Sequence, residues 1–250
     1  MQKSLVIKGK CFGEGKPLIC LPVTKTSAEE IVAEVKRLVA LGADVIEWRV
    51  DAFAEASDLN AIRAVLKEIG LHTKDTPLIY TFRSKAQGGM LELPAEMIYD
   101  IHQVGVESKV VDLVDVEFFA ANKASREIAS LQKMGVSVIA SHHDFSETPR
   151  SDVMELILRQ MRDSGTDIVK LAVMPQTEAD VLALMEVTAN FHKSYPKTPV
   201  ITMSMGSLGM LSRISGSLTG SCLTFGNAGE ASAPGQIEYQ KLAELLDLFA

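Results

Sequence analysis

The chain has 250 residues and carries 25 Lys and Arg against 32 Asp and Glu, a formal net charge of −7. That length suits one large α/β barrel better than two ordinary domains, and apolar and charged fractions of 47% and 23% argue against both disorder and a membrane protein. The negative balance, with no basic block to offset it, argues against nucleic acid as a partner.

At the start, Ser4–Phe12 reads as a short hairpin or strand capping a barrel bottom, turning near Gly13 and Gly15. Its apolar run is broken by Lys8 and Lys10 and is too short for a signal peptide, and no run reaches the ~20 residues of a membrane helix. Short runs rich in Val, Ile and Leu then recur as predicted strands: Leu18–Leu21, Asp44–Val50, Leu78–Phe82, Val110–Val116, Val136–Ser141, Ile168–Val173, Val200–Met203 and Ser221–Phe225. Helical periodicity follows each of them, over Ser27–Leu41, Asp58–Ile69, Ala95–Val106, Lys123–Met134, Asp152–Ser164, Glu178–His192, Gly206–Ile214 and Gly235–Leu248. Ser27 and Ser151 mark helix starts, and Gly42, Gly70, Gly135 and Gly165 fall just past helix ends.

Eight strand-helix units with right-handed connections predict a (β/α)8 TIM barrel, a single domain over residues 1–250. An open doubly wound sheet is the alternative, but no GxGxxG follows the first strand. Cys11, Cys20 and Cys222 are odd in number and widely spaced, so neither a disulfide framework nor a metal pattern is indicated, and a cytoplasmic protein is expected.

Barrel enzymes place reacting groups at the C-terminal ends of their strands. The second strand puts Glu47, Arg49 and Asp51 on one face, the third ends with Arg83, and the fourth carries Asp115 and Glu117 on a shared face, which predicts a buried network of alternating charge. At the end of the fifth, His142 and His143 point oppositely, so only one faces the site, either as a general base or merely bonded to a loop. Lys170 sits among apolar residues of the sixth strand and must be paired or functional. An amine attacks a carbonyl only when neutral, a form that desolvation and neighbouring cations favour. From the residues alone, an ion pair with Asp115 or Glu117 and a catalytic role for Lys170 both stand. Met203, Met205 and Met210 read first as flexible core fillers. No His/Asp/Glu set is spread over the strands as metal ligands would be, so neither metal nor other cofactor is expected.

The motifs EWRVDAF, TFRS, HDF, VKLAVMP, ITMSMG and SAPGQ, in this order and spacing from about the first strand to the last helix, resemble those of the type I 3-dehydroquinate dehydratases. The resemblance implies a homodimer in which Lys170 forms an imine with the ketone of 3-dehydroquinate. His143 would remove the neighbouring proton and then help expel the hydroxyl as water, giving 3-dehydroshikimate in the shikimate route to aromatic compounds. It further implies that Arg213 partners the substrate carboxylate, that Glu47, Arg49, Arg83, Ser232 and Gln236 contact hydroxyls and carboxylate, and that Met203 and Met205 wall the pocket. The segment Gly226–Gly235 would be a closing lid. One departure stands out: the family commonly has Glu after TFRS to orient the His, and this chain has Gln87. A Gln hydrogen-bonds an imidazole but cannot stabilise imidazolium with a negative charge, so proton transfer is expected to be slowed.

A Schiff-base aldolase or transaldolase is the nearest rival, favoured by a phosphate site at the seventh and eighth loops, where Gly206–Gly209 and Arg213 lie. A barrel that binds without turnover is a second rival, kept open by Gln87.

Overall fold

In the computed structural model, which describes residues 5–121, 123–229 and 232–249, a hairpin of β1 (Leu5–Ile7) and β2 (Lys10–Phe12) precedes the sheet. Then follow β3 (Leu18–Val23), α1 (Ala28–Leu41), β4 (Val45–Arg49), α2 (Leu59–Gly70), β5 (Leu78–Thr81), α3 (Ala95–Glu107), β6 (Leu113–Glu117) and α4 (Ala124–Lys133). The second half runs through β7 (Ser137–Asp144), α5 (Ser151–Asp163), β8 (Ile168–Val173), α6 (Glu178–Ser194), β9 (Val200–Ser204), α7 (Met210–Ile214), α8 (Gly216–Thr219), β10 (Leu223–Asn227), β11 (Ile237–Glu238) and α9 (Tyr239–Leu248).

Strands β3 to β10 lie parallel in chain order, and β10 pairs back onto β3 through Leu223 opposite Leu18. The last seam, between β9 and β10, is a bridge of Val200 to Ser221 with a 2.8 Å bond from Cys222 N to Val200 O. The eight strands thus form the expected (β/α)8 barrel. Side chains alternate across each strand. Val45, Ile79, Leu113, Ile139, Ile168, Ile201 and Leu223 fill the barrel interior, while the intervening residues pack against the helices in a second, larger cluster. Phe12, fully buried, plugs the bottom of the interior from the hairpin. Withdrawing such a ring from water contributes about 1.5–3 kcal/mol. Two residues above the apolar layer, the same inward alternation delivers Glu47, Thr81, Asp115, Ser141, Lys170, Met203 and Phe225, and two further on Arg49, Arg83, Glu117, His143, Ala172 and Met205. The polar site therefore sits directly on the apolar floor, at the C-terminal mouth.

Several local expectations are corrected. The hairpin turns at Lys8 and Gly9, both at positive φ (47° and 76°), rather than near Gly13 and Gly15, because a two-residue turn of that kind matches the twist of paired strands. Ser151 is the first residue of α5, not its cap; Ser27 does cap α1, in a reciprocal capping box with Glu30. Gly70 ends α2 from inside, and its value is closeness: a Cβ there would lie 2.7 Å from Val110 Cγ2. The helix expected from Gly206 begins only at Met210, and the one expected from Gly235 is preceded by β11 and begins at Tyr239. Ser4 of the expected hairpin, Glu230 and Ala231 of the expected lid, and the terminal Met1 and Ala250 lie outside the described residues. Among the described residues, no helix is long and apolar enough to cross a membrane.

Candidate active site

Lys170 projects from β8 into the barrel mouth and is buried. Its Nζ donates to Asp115 Oδ2 at 2.9 Å, lies 3.8 Å from Glu47 Oε1, and sits 4.6 Å above the ring centre of Phe225. Of the two sequence readings, the ion pair with Asp115 is therefore present, while the nearest groups are carboxylates and an aromatic face rather than Arg cations. Asp115 also pairs with Arg83 (Nη2 to Oδ1, 2.8 Å) and accepts from Ser141 Oγ at 2.5 Å. Burial alone would raise the Asp115 pKa, but Arg83 and Lys170 beside it hold it well below the ordinary carboxylate range. Arg83 Nη1 reaches Glu117 Oε1 at 3.0 Å, and Thr81 Oγ1 donates to Glu47 Oε1 at 2.8 Å. The expected network of alternating charge is present.

His143 faces this network from β7, while His142 points the other way, its ring edge-on to Phe119 with centres 5.1 Å apart. Gln87, at the end of a tight turn over Lys85–Gln87, meets His143 twice. Its Oε1 lies 2.8 Å from the backbone N of His143 and 3.3 Å from Nδ1. A backbone N–H can only donate, so the amide oxygen must face it, and Nδ1 opposite the same oxygen must carry a proton. Nε2 is thereby left as the basic nitrogen. Burial, then the cations Arg83 and Lys170, push the His143 pKa well below the usual 6.5, so the ring is neutral at pH 7.

Arg213 on α7 differs from the other cations. Arg49 is matched by Asp51, Arg83 by Asp115 and Glu117, and Lys170 by Asp115 and Glu47. Among the described residues, Arg213 is buried with backbone carbonyls as its only hydrogen-bond partners, Pro234 O at 2.9 Å and Phe225 O at 3.5 Å, and its Nε has none. Burial, with no carboxylate paired to it among the described residues, lowers its pKa to about 10. Above it, Ser232 and Gln236 bond each other, Ser232 N to Gln236 Oε1 at 2.8 Å and Gln236 Nε2 to Ser232 Oγ at 2.9 Å. The Gly206 N–H is already taken by Pro234 O at 3.2 Å, which removes one donor from the anion cradle that the aldolase reading needs.

All eleven residues singled out from the sequence, Glu47, Arg49, Arg83, Gln87, His143, Lys170, Met203, Met205, Arg213, Ser232 and Gln236, line this one cleft, which encloses about 50 Å³ of free volume. Met203 and Met205 are buried wall residues, whereas Met210 is on the surface. Sequence reasoning did not single out Phe145 or Phe225, which also line the cleft. Phe225 carries a readable signal, being on the inward parity at the end of the last barrel strand; Phe145 lies past the end of β7, where strand parity says nothing, and its one signal is its place in the HDF motif. Among the described residues, no three or more His, Cys, Asp or Glu side chains are grouped to hold a metal ion.

The sequence profile of the Type I 3-dehydroquinase family matches residues 19–250. The chain is similar to the 3-dehydroquinate dehydratase of Klebsiella pneumoniae subsp. pneumoniae, 42% identical over 251 residues with both chains covered in full. It is 39% identical over 249 residues to that of Clostridioides difficile, covering 99% of this chain and 98% of the relative. Among solved structures, the type I 3-dehydroquinate dehydratase of Clostridium difficile with covalently modified comenic acid matches at a TM-score of 0.94 and 38% identity, covering 99% of this chain and 97% of that one. The 3-dehydroquinate dehydratase of Enterococcus faecalis matches at 0.90 and 35%, covering 98% and 99%.

Proposed function

The chain belongs to the type I 3-dehydroquinase family of hydro-lyases, and from that premise we propose that it dehydrates 3-dehydroquinate to 3-dehydroshikimate through an imine on Lys170, with His143 as general acid and base. The observation that carries this reading is the pairing, in one cleft, of a buried Lys170 amine with a His143 whose Nδ1 proton is fixed by Gln87 and whose Nε2 is free to take a proton.

Lys170 sheds one proton and adds to the substrate ketone as the neutral amine, and the adduct takes that proton back as it loses one water, leaving a protonated imine with carbon doubly bonded to Nζ. That cation draws electrons from the adjacent carbon, so its proton passes to His143 Nε2 and an enamine forms. The proton held by His143 then leaves with the hydroxyl as a second water. Hydrolysis of the product imine consumes one water and restores Lys170, so the net change is loss of one water. Asp115, Glu47 and the Phe225 face support the positive charge that the imine carries at Nζ. Arg213, with no carboxylate partner among the described residues, receives the substrate carboxylate, for which its fork is suited.

Glu47, Arg49 and Arg83 contact the ring hydroxyls and carboxylate from below, and Ser232 and Gln236 do so from above. The free volume is small beside the ~300 Å³ or more of ordinary ligand pockets, and in this reading the Ser232–Gln236 segment lifts for entry. This reading takes the chain as one catalytic domain over 1–250, a homodimer in the cytoplasm without cofactor or nucleic-acid partner; its net charge and three free cysteines agree with that. The test is His143→Ala assayed with 3-dehydroquinate. Retention of a borohydride-reducible imine with turnover lowered about 100-fold or more is expected; undiminished turnover would remove His143 from the mechanism.

A further inference from the structure

Asp51 follows β4 at the rim of the cleft without lining it, its side chain sealed from solvent. Its carboxylate accepts four hydrogen bonds. Oδ1 accepts from Arg49 Nε at 2.8 Å and from the backbone N–H of Arg83 at 3.1 Å. Oδ2 accepts from Arg49 Nη2 at 2.7 Å and from the backbone N–H of Met90 at 3.0 Å. The two Arg49 bonds form a bidentate fork that fixes the plane of its guanidinium. The two backbone bonds hold both ends of the loop from Arg83 to Met90.

That loop is wound tightly enough to transmit a displacement. Ser84 O accepts from the N–H of both Gln87 (3.0 Å) and Gly89 (2.9 Å), Gly88 holds φ 85°, and a Cβ at Gly89 would run into the Arg83 carbonyl. Gln87 within it is the residue that meets the His143 ring. We infer that Asp51 is a positioning residue that sets a binding guanidinium, Arg49, and the loop that orients His143 in one common frame. The inference rests on the roles proposed above for Arg49 and His143.

An Asn at this position keeps one acceptor oxygen but turns an NH2 group toward donors, so two of the four bonds are lost and Arg49 loses its counter-charge. A carboxylate with a merely structural role would lower the thermal midpoint and leave the kinetic constants in place. The test is steady-state dehydration of 3-dehydroquinate by the full chain, by Arg49→Gln, by Asp51→Asn and by the double variant, with thermal midpoints for each. Asp51→Asn is expected to raise KM as far as Arg49→Gln does and, unlike it, to lower kcat about 10- to 100-fold through the displaced Gln87 loop.

The double variant is expected to show the KM of Arg49→Gln with the kcat of Asp51→Asn. If Asp51→Asn does not fold, the double variant, which buries no unpaired charge, is compared with Arg49→Gln, and the same fall in kcat is expected. KM and kcat of Asp51→Asn within about 2-fold of the unaltered chain, or a double variant with the kcat of Arg49→Gln, would overturn the inference. The comparison reads ratios of KM and kcat between variants that all keep Lys170, so it does not require that the imine form there. Turnover without a Lys170 adduct would therefore refute the imine mechanism while this comparison still decides on Asp51.

Discussion

Changing Gln87 to Glu replaces the NH2 of an amide by a charged oxygen and little else. The receiving geometry is already present, with Oε1 2.8 Å from the His143 backbone N and 3.3 Å from Nδ1. Two opposite unit charges 4 Å apart at an effective dielectric of about 20 attract by about 4 kcal/mol. At 1.36 kcal/mol per unit, that sets a ceiling of about 3 pH units on the change in imidazole titration. Arg83 and Lys170, which help to keep His143 neutral, oppose the change, so about 1–3 pH units is expected.

The direction is upward, since a carboxylate stabilises imidazolium. The assay is the pH profile of kcat/KM for 3-dehydroquinate. The unaltered chain should lose activity in acid only below 6.5, the ordinary histidine value, because its His143 pKa is depressed. In Gln87→Glu that limb should move to higher pH, and kcat at pH 7 should rise about 10-fold if release of the hydroxyl limits the rate. Superimposable profiles would refute the tautomer and charge reasoning on which this rests.

Replacing Arg213 by Met should raise KM about 10- to 100-fold, the worth of a charge-assisted hydrogen bond to a carboxylate. The thermal midpoint should hold or rise, because the removed cation is buried with no counter-charge among the described residues; a large fall in midpoint with unchanged KM would contradict its role. Stability should also decline in acid. Asp115 and Asp51 have folded pKa values below their unfolded ones, so their stabilising contribution is complete above about 4 and is lost as pH falls toward the folded values. His143, also depressed, adds a decline of the same sign beginning below 6.5. Thermal midpoints between pH 7 and pH 3 measure this, and a flat curve would contradict the pairing described.

Much of the architecture was legible because two periodicities are simple. Alternation along a strand places Glu47 with Arg49, and His143 opposite His142, without reference to any neighbour, and eight such strands with helices between them leave little choice but a barrel. Legibility failed where backbone conformation depends on distant contacts. Gly206 and Gly235 read as helix starts, yet Gly206 takes a φ of 72° and its N–H bonds Pro234 O, so the two segments brace each other instead. The partner of Lys170 was equally out of reach: Asp115 and Glu117 share one face of β6, and only the stagger between strands brings Asp115 to 2.9 Å while Glu117 goes to Arg83. Asp51 was visible as a residue but not as a clamp, because two of its four donors belong to a loop more than thirty residues away.

The imine on Lys170 is tested most directly by incubating the protein with 3-dehydroquinate, adding borohydride, and recording intact and peptide mass spectra. Reduction makes a transient imine permanent, so one substrate-derived adduct on the peptide containing Lys170, absent from Lys170→Met, is the expected result. Undiminished dehydration by Lys170→Met, or an adduct on any other residue, would contradict it.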